Sequence, residues 1–322
     1  MTRSNRSPLT GGAIPKTPVA RLSPYRSVSP HGRFLAGSGD ALKLDWNESA
    51  VGPSPLVLAR LSAFVATEPL NWYADPSAAA LRRRLAAYTG RPASEILVFN
   101  GSDSALDCVA RTYVGPGDHV VVCAPCYDNF RVFVDGVGAD VEHVLGPSPF
   151  ASNVKGLVAR VRATTRLVYL CNPNNPTGRL YTVRQIERIL ESVTGGVLVV
   201  DEAYYEFTGT TAAGLLDRYE NLIVTRSFSK AFGLAGLRCG YAMARARVMR
   251  YLGRLRNGKD VSAIAQVASL AALEDLAYMR ACVAEVGRAR RWLAAALRVR
   301  GYVVVPSRAN FVLVRVASPA RL

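Results

Sequence analysis

Apolar and polar positions along the chain fall into two repeating periods. Residues 77–88 carry Leu81, Leu85 and Tyr88 on one side, the spacing of an amphipathic helix. Short apolar runs of strand length follow at 96–99, 119–123, 167–170, 197–200 and 222–225. Helical spacing fills several of the gaps, notably 104–113 and 183–192. Strands alternating with helices predict an α/β fold with a mostly parallel sheet flanked by helices. In such sheets ligands bind beyond the carboxyl ends of the strands, so the segments that follow the strands carry the chemistry. Residues 262–299 are rich in Ala and Arg and read as helix, with Gly301 as the stop signal. Two further strands, 302–305 and 311–316, read as part of a second, smaller domain.

A length of 322 residues suits about two domains. Half the residues are hydrophobic and 20% are charged, which excludes disorder for the bulk of the chain. No run of about 18 apolar residues occurs, so no transmembrane helix and no membrane partner are expected. The net charge of +16, from 40 basic and 24 acidic side chains, raises the question of nucleic acid. Only Lys16, Lys43, Lys155, Lys230 and Lys259 are lysines, however, and the arginine excess accompanies abundant alanine. No zinc-finger spacing, basic zipper or RNA-binding aromatic pattern goes with it, so no nucleic-acid partner is expected.

Six cysteines make no disulfide framework, and the N-terminus has no apolar signal core, so the expected compartment is the cytoplasm. Residues 1–39 are basic and acid-free, like a transit peptide, but their prolines and weak periodicity fit a disordered extension better. Cys123 and Cys126 have C-x-x-C spacing without a second pair, and the histidines are His31, His119 and His143. They read as packing residues, with no metal.

Four loops after strands hold the candidate chemistry. Asn100-Gly101-Ser102-Asp103 opens a helix expected to begin near Ser104, a seat for phosphate on free backbone N–H groups. Residues 171–178 hold two prolines and three asparagines, a rigid loop expected to present its amides outward. The strand at 197–200 runs into Asp201-Glu202-Ala203-Tyr204, and an acid there costs several kcal/mol to bury unless a cation meets it. The strand at 222–225 leads to Ser227-Phe228-Ser229-Lys230, with Arg238 beyond. A lysine in an apolar pocket has a lowered pKa and attacks carbonyls. An amine for an aldimine, an acid for a pyridine nitrogen and a seat for phosphate are together what pyridoxal 5'-phosphate requires.

Asn-Pro-Asn-Asn-Pro-Thr-Gly at 172–178, Asp-Glu-Ala-Tyr at 201–204 and Ser-Phe-Ser-Lys-Ala-Phe-Gly-Leu-Ala-Gly-Leu-Arg at 227–238 closely resemble fold-type I aminotransferases. The nearest branch is similar to the histidinol-phosphate aminotransferases, from Leu22 to Arg315 and including 45–48, 71–76 and 309–315. The resemblance implies a pyridoxal-phosphate enzyme that moves an amino group between an amino acid or amino-alcohol phosphate and a 2-oxo acid. It implies that Lys230 forms the internal aldimine, Asp201 pairs with the pyridine nitrogen, and Asn175 and Tyr204 hydrogen-bond the phenolic oxygen. Tyr127 would stack on the ring, and Ser102 and Asp103 would offer backbone amides to the phosphate with Ser227, Ser229 and Arg238. Tyr73 would reach the phosphate in a neighbouring subunit, which implies a homodimer.

The expected division is an extension at 1–17, a segment at 18–75 serving the small domain and the dimer interface, a large cofactor domain at 76–261 and a small domain at 262–322. Family members continue past the segment matching 311–315 and carry there two arginines for the substrate's α-carboxylate and phosphate. Here only Arg321 follows, in a different context, so the expected small domain is incomplete, with an open edge. The alternatives are a lyase resembling threonine-phosphate decarboxylase, and a non-catalytic protein of the same fold. Ser227 and Lys230 also fit the S-x-x-K of serine acyl-transferring enzymes, but the S-D-N and K-T-G motifs that go with it are absent.

Overall fold

The computed structural model describes residues 15–23, 44–148, 151 and 153–316. Most of the expected extension at 1–17, most of the basic segment at 1–39 and Arg321 lie outside them. The first half of the chain forms α1 (Thr17–Arg21), α2 (Pro55–Thr67), α3 (Ala79–Thr89), β1 (Ile96–Phe99), α4 (Gly101–Tyr113), β2 (His119–Ala124), α5 (Asn129–Val137), β3 (Asp140–Leu145) and α6 (Val154–Arg160). Then come β4 (Thr165–Cys171), α7 (Val183–Ser192), β5 (Val197–Asp201), β6 (Leu222–Ser227), β7 (Gly240–Met243), α8 (Ala246–Leu255), α9 (Ala263–Glu274), α10 (Leu276–Val299), β8 (Val303–Val305) and β9 (Leu313–Arg315).

Seven strands make one sheet in the order β1-β7-β6-β5-β4-β2-β3. The pairs among β2 to β6 are parallel, while β7 runs antiparallel between β6 and β1. All five expected strands are present, and their nearly unbroken apolar runs fit strands buried on both faces. Two apolar layers enclose the sheet. One holds Leu81, Leu85, Val168, Leu198 and Val224, the other Leu106, Val109, Phe130, Tyr169 and Val199.

Several elements depart from the sequence pattern. α4 begins at Gly101 rather than near Ser104, which places the N–H groups of Ser102 and Asp103 in its first turn. α5 has the Phe and Val content of a strand, yet it is helical because Phe130 and Val134, one turn apart, both bury beneath the sheet. α9 lies beyond the compositional boundary at 262, but Ala265, Ala268, Ala271 and Ala272 bury in the same core as Val57 of α2 and Leu81 of α3. β8 and β9 form a separate antiparallel pair alongside the end of α10. Among the described residues no helix is long and apolar enough to cross a membrane.

β7 fits into the sheet only because it starts with glycine. A Cβ on Gly240 would lie 2.5 Å from the Ser102 nitrogen, 2.7 Å from the Gly101 carbonyl carbon and 2.9 Å from the Arg226 oxygen. All three are backbone atoms that cannot swing aside. Gly240→Ala is expected to cost about 1–3 kcal/mol of stability, read as a lower denaturant midpoint at unchanged slope.

Candidate active site

The register of the two central strands sets the site. Asp201 ends β5 directly opposite Thr225 of β6. Because side chains alternate across a strand, Asp201 and Thr225 share one face, and Glu202 and Arg226 lie on the other. Thr225 Oγ1 donates to Asp201 Oδ1 at 3.0 Å, the Ala203 N–H to the same oxygen at 3.2 Å, and Tyr169 OH to Oδ2 at 3.1 Å. These donors are all neutral. Burial pushes the Asp201 carboxyl up to about 6, partly offset by the Thr225 and Tyr169 hydrogen bonds. Tyr169 is itself fixed by a parallel stack on Phe130, with centroids 3.9 Å apart.

On the opposite face Glu202 and Arg226 form a buried ion pair at 2.9 Å, their side chains 0% and 3% exposed. Thr211 Oγ1 donates to Glu202 at 2.8 Å, the Ala212 N–H donates to it at 2.6 Å, and Arg226 donates to Thr211 at 2.8 Å. The Arg226 guanidinium also stacks on Tyr205, 3.4 Å from the ring centre. A buried pair with so many satisfied hydrogen bonds fixes geometry more than it adds stability. Here it holds the segment from 201 to 205 rigid.

Tyr204 is buried, with its hydroxyl accepting from Asn47 Nδ2 at 3.2 Å and from Asn175 Nδ2 at 3.4 Å. Burial raises its pKa and the two amides partly offset the rise, so it stays a neutral hydroxyl. Of the three loop asparagines only Asn175 presents its amide toward Tyr204. Asn172 is buried against the Tyr181 backbone, and Asn174 bonds Pro125 and Thr177, which corrects the expectation that all three point outward.

Lys230 is half-buried, and its Nζ donates to the Trp46 carbonyl at 2.6 Å. Desolvation brings its pKa down to about 8, against the pull of Glu48 and Asp103. Trp46 and Asn47 both adopt left-handed backbone, φ 56° and 51°, at about 1–3 kcal/mol each for non-glycine residues. That conformation turns the Trp46 carbonyl onto Lys230 while the Asn47 side chain meets Tyr204.

At the start of α4, Arg238 Nη2 bonds Asp103 Oδ2 at 3.1 Å and Nη1 reaches Ser229 Oγ at 3.5 Å. Tyr127 OH donates to Asp103 Oδ1 at 2.9 Å, so the Asp103 carboxylate, not only its backbone, orders this corner. Gly101 leaves the space in which Arg238 lies, since a Cβ there would sit 2.5 Å from Nη2. Ser227 is buried and accepts from the Ser229 N–H at 3.0 Å. Tyr73 stands apart from this group. It is 79% exposed, with Lys259 Nζ 4.0 Å from its ring centre. Sequence reasoning missed Trp46, Asn47, Tyr169, Thr225 and Arg226. Trp46 and Asn47 lie in the resembling segment 45–48 without an assigned role, and Tyr169 and Arg226 are polar groups within apolar strands.

A family model described as aminotransferase class I and II matches residues 39–321. The chain belongs to this family. The aminotransferase is 37% identical over 303 residues to a dihydroxyacetone phosphate transaminase of Campylobacter jejuni, covering 92% of this chain and 82% of that one. It is also 37% identical over 308 residues to a histidinol-phosphate aminotransferase of Roseiflexus castenholzii, covering 93% and 82%. Among solved structures it matches a histidinol-phosphate aminotransferase of Sinorhizobium meliloti in complex with pyridoxal-5'-phosphate, with a TM-score of 0.80 and 30% identity over 86% of this chain and 76% of that one. The aminotransferase is accordingly a pyridoxal-phosphate-dependent enzyme of fold-type I. The donor set fits that cofactor: a buried carboxylate held by neutral donors suits a protonated ring nitrogen, and a desolvated lysine suits an aldehyde.

The Lys230 environment gives a pH expectation. Below about 8 the amine carries its proton and does not react, whereas an exposed lysine stays protonated to about 10.4. Amine-reactive labelling of cofactor-free protein, read by peptide mass, should show a midpoint near pH 8 at Lys230. A midpoint above 10 would contradict this environment.

Proposed function

We propose that the aminotransferase exchanges an amino group between a histidinol-phosphate-like amino-alcohol phosphate, or an amino acid, and a 2-oxo acid, with Lys230, Asp201 and Tyr204 as its catalytic residues. The observation that carries the assignment is Asp201, a buried carboxylate without a cationic partner among its hydrogen bonds, in the same electrostatic environment as the Lys230 amine. The substrate class is supported by the two relatives above, both named for phosphate esters.

When bound, pyridoxal phosphate supplies an electron-accepting ring that stabilises negative charge at the substrate's Cα. Asp201 would keep the ring nitrogen protonated, because a carboxylate at that depth is stabilised by an opposing positive charge. Lys230 would hold the cofactor through its amine and, when free, would move the proton at the substrate's Cα. Its lowered pKa leaves a useful neutral fraction near pH 7. Tyr204 and Asn175 would hydrogen-bond the cofactor's phenolic oxygen, and Tyr127 would pack against its ring. The first-turn N–H groups at Ser102 and Asp103, with Ser227, Ser229 and Arg238, would receive the phosphate, the anion being favoured by the positive end of α4. Lys230→Ala should abolish the near-visible absorbance of the cofactor-loaded protein and lower transamination by at least about 10²–10⁴-fold. Retention of both would refute the assignment.

We further propose a homodimer in which Tyr73 serves the neighbouring subunit's site. The support is the exposed run of Leu70, Trp72 and Tyr73, apolar surface that a second copy would cover. Sedimentation should give twice the chain mass of 34.7 kDa, and a species only at that mass would overturn the dimer. Six unpaired cysteines suit the reducing cytoplasm as its compartment.

A further inference from the structure

Asn310, in the loop between β8 and β9, has an unusual hydrogen-bond state. Its Nδ2 donates to the Asn47 carbonyl at 2.9 Å and to the Glu48 carbonyl at 3.5 Å. Two carbonyls fix which way round the carboxamide sits, since the flipped amide would set oxygen against oxygen. Oδ1 is thereby held as the acceptor. It is buried and has no hydrogen-bond partner among the described residues.

The loop that carries it is pinned on three sides. Arg290 donates to the Ala309 carbonyl, the Arg308 N–H donates to Gly178 at 2.7 Å, and the Phe311 ring sits edge-on to Tyr204 at 5.3 Å. Asn310 therefore cannot easily turn away to satisfy its oxygen. A buried acceptor kept without a donor is costly, and such atoms in folded proteins have a reason.

Asn310 lines a cavity of about 70 Å³, together with Glu48, Ser49, Lys230, Phe207 and Val286. That is room for a few water-sized groups. Glu48 and Lys230 line the cavity with opposite charges, and a hydroxyl or ring N–H entering it would supply the donor that the Asn310 oxygen lacks.

We propose that Asn310 Oδ1 is a specificity determinant, accepting a hydrogen bond from a hydroxyl or ring N–H at the end of the substrate remote from its phosphate. The proposal rests on the reading of the substrate as a phosphorylated amine and adds the polar group required at the other end. Both substrates named for the relatives carry such a donor, the free hydroxyl of dihydroxyacetone phosphate and the imidazole N–H of histidinol phosphate.

The test uses the holoenzyme with 2-amino-3-hydroxypropyl phosphate and 2-aminopropyl phosphate, which differ by one hydroxyl. kcat and KM are measured separately with a single 2-oxo acid. The hydroxylated amine should be preferred by about 10–100-fold in kcat/KM, the span of one buried acceptor left unsatisfied. In Asn310→Leu the ratio should fall toward one. Equal kcat/KM for the two amines in the parent enzyme overturns the assignment and leaves the phosphorylated-amine reading intact. A preference that persists in Asn310→Leu also overturns it. Turnover of amino acids but of neither phosphorylated amine overturns the phosphorylated-amine part of the proposed function, and the assignment with it.

Discussion

Two consecutive carboxylates end the central buried strand, and the site is organised around keeping them apart. The strand's alternation sends Asp201 and Glu202 to opposite faces, where each meets a different solution to the cost of burying charge. Glu202 is neutralised by Arg226 and bonded by Thr211 and the Ala212 N–H. Asp201 receives only neutral donors from Thr225, Tyr169 and the Ala203 N–H. The first carboxylate becomes an anchor for its segment, and the second remains a strong acceptor for a positive charge. Moving the register of β5 by one residue would exchange these two roles.

Rigidity then spreads outward from that strand end. Arg226 stacks on Tyr205, and the neighbouring Tyr204 packs edge-on against Phe311 from the loop between β8 and β9. The same loop reaches back through Asn310 to the backbone at Asn47 and Glu48, whose left-handed neighbour Trp46 meets Lys230. A segment near the start of the chain and a loop near residue 310 thus close on Lys230 from two sides. The strained backbone at Trp46 and Asn47 is maintained by contacts with both Lys230 and Tyr204, as expected where strain serves a site.

Much of this was legible beforehand. The five buried strands announced themselves because each is a nearly unbroken apolar run, and the candidate loops followed because chemistry in parallel sheets gathers at the carboxyl ends, while the roles within them came from the family resemblance. Lys230 stood out among few lysines. The less legible parts share one cause, which is that long-range packing overrode local pattern. α5 carries strand-like composition, β7 is four residues long and starts with glycine, and α9 lies beyond a compositional break yet completes the main core. Asn172 and Asn174 look like exposed loop amides, but Asn172 bonds the Tyr181 backbone and Asn174 bonds the Thr177 hydroxyl and the Pro125 carbonyl.

The sequence by itself determined the order of strands and helices, the chemical type of each strand-end loop and the identity of the lysine and acid, since these depend on periodicity and on side-chain chemistry within a few residues. Only the tertiary structure decided which carboxylate faces the site, that β7 runs against its neighbours, and that Asn310 would meet Asn47 across 263 positions of chain. Strand register and loop docking are set by contacts between distant segments, and no local pattern encodes how far apart two such segments will lie.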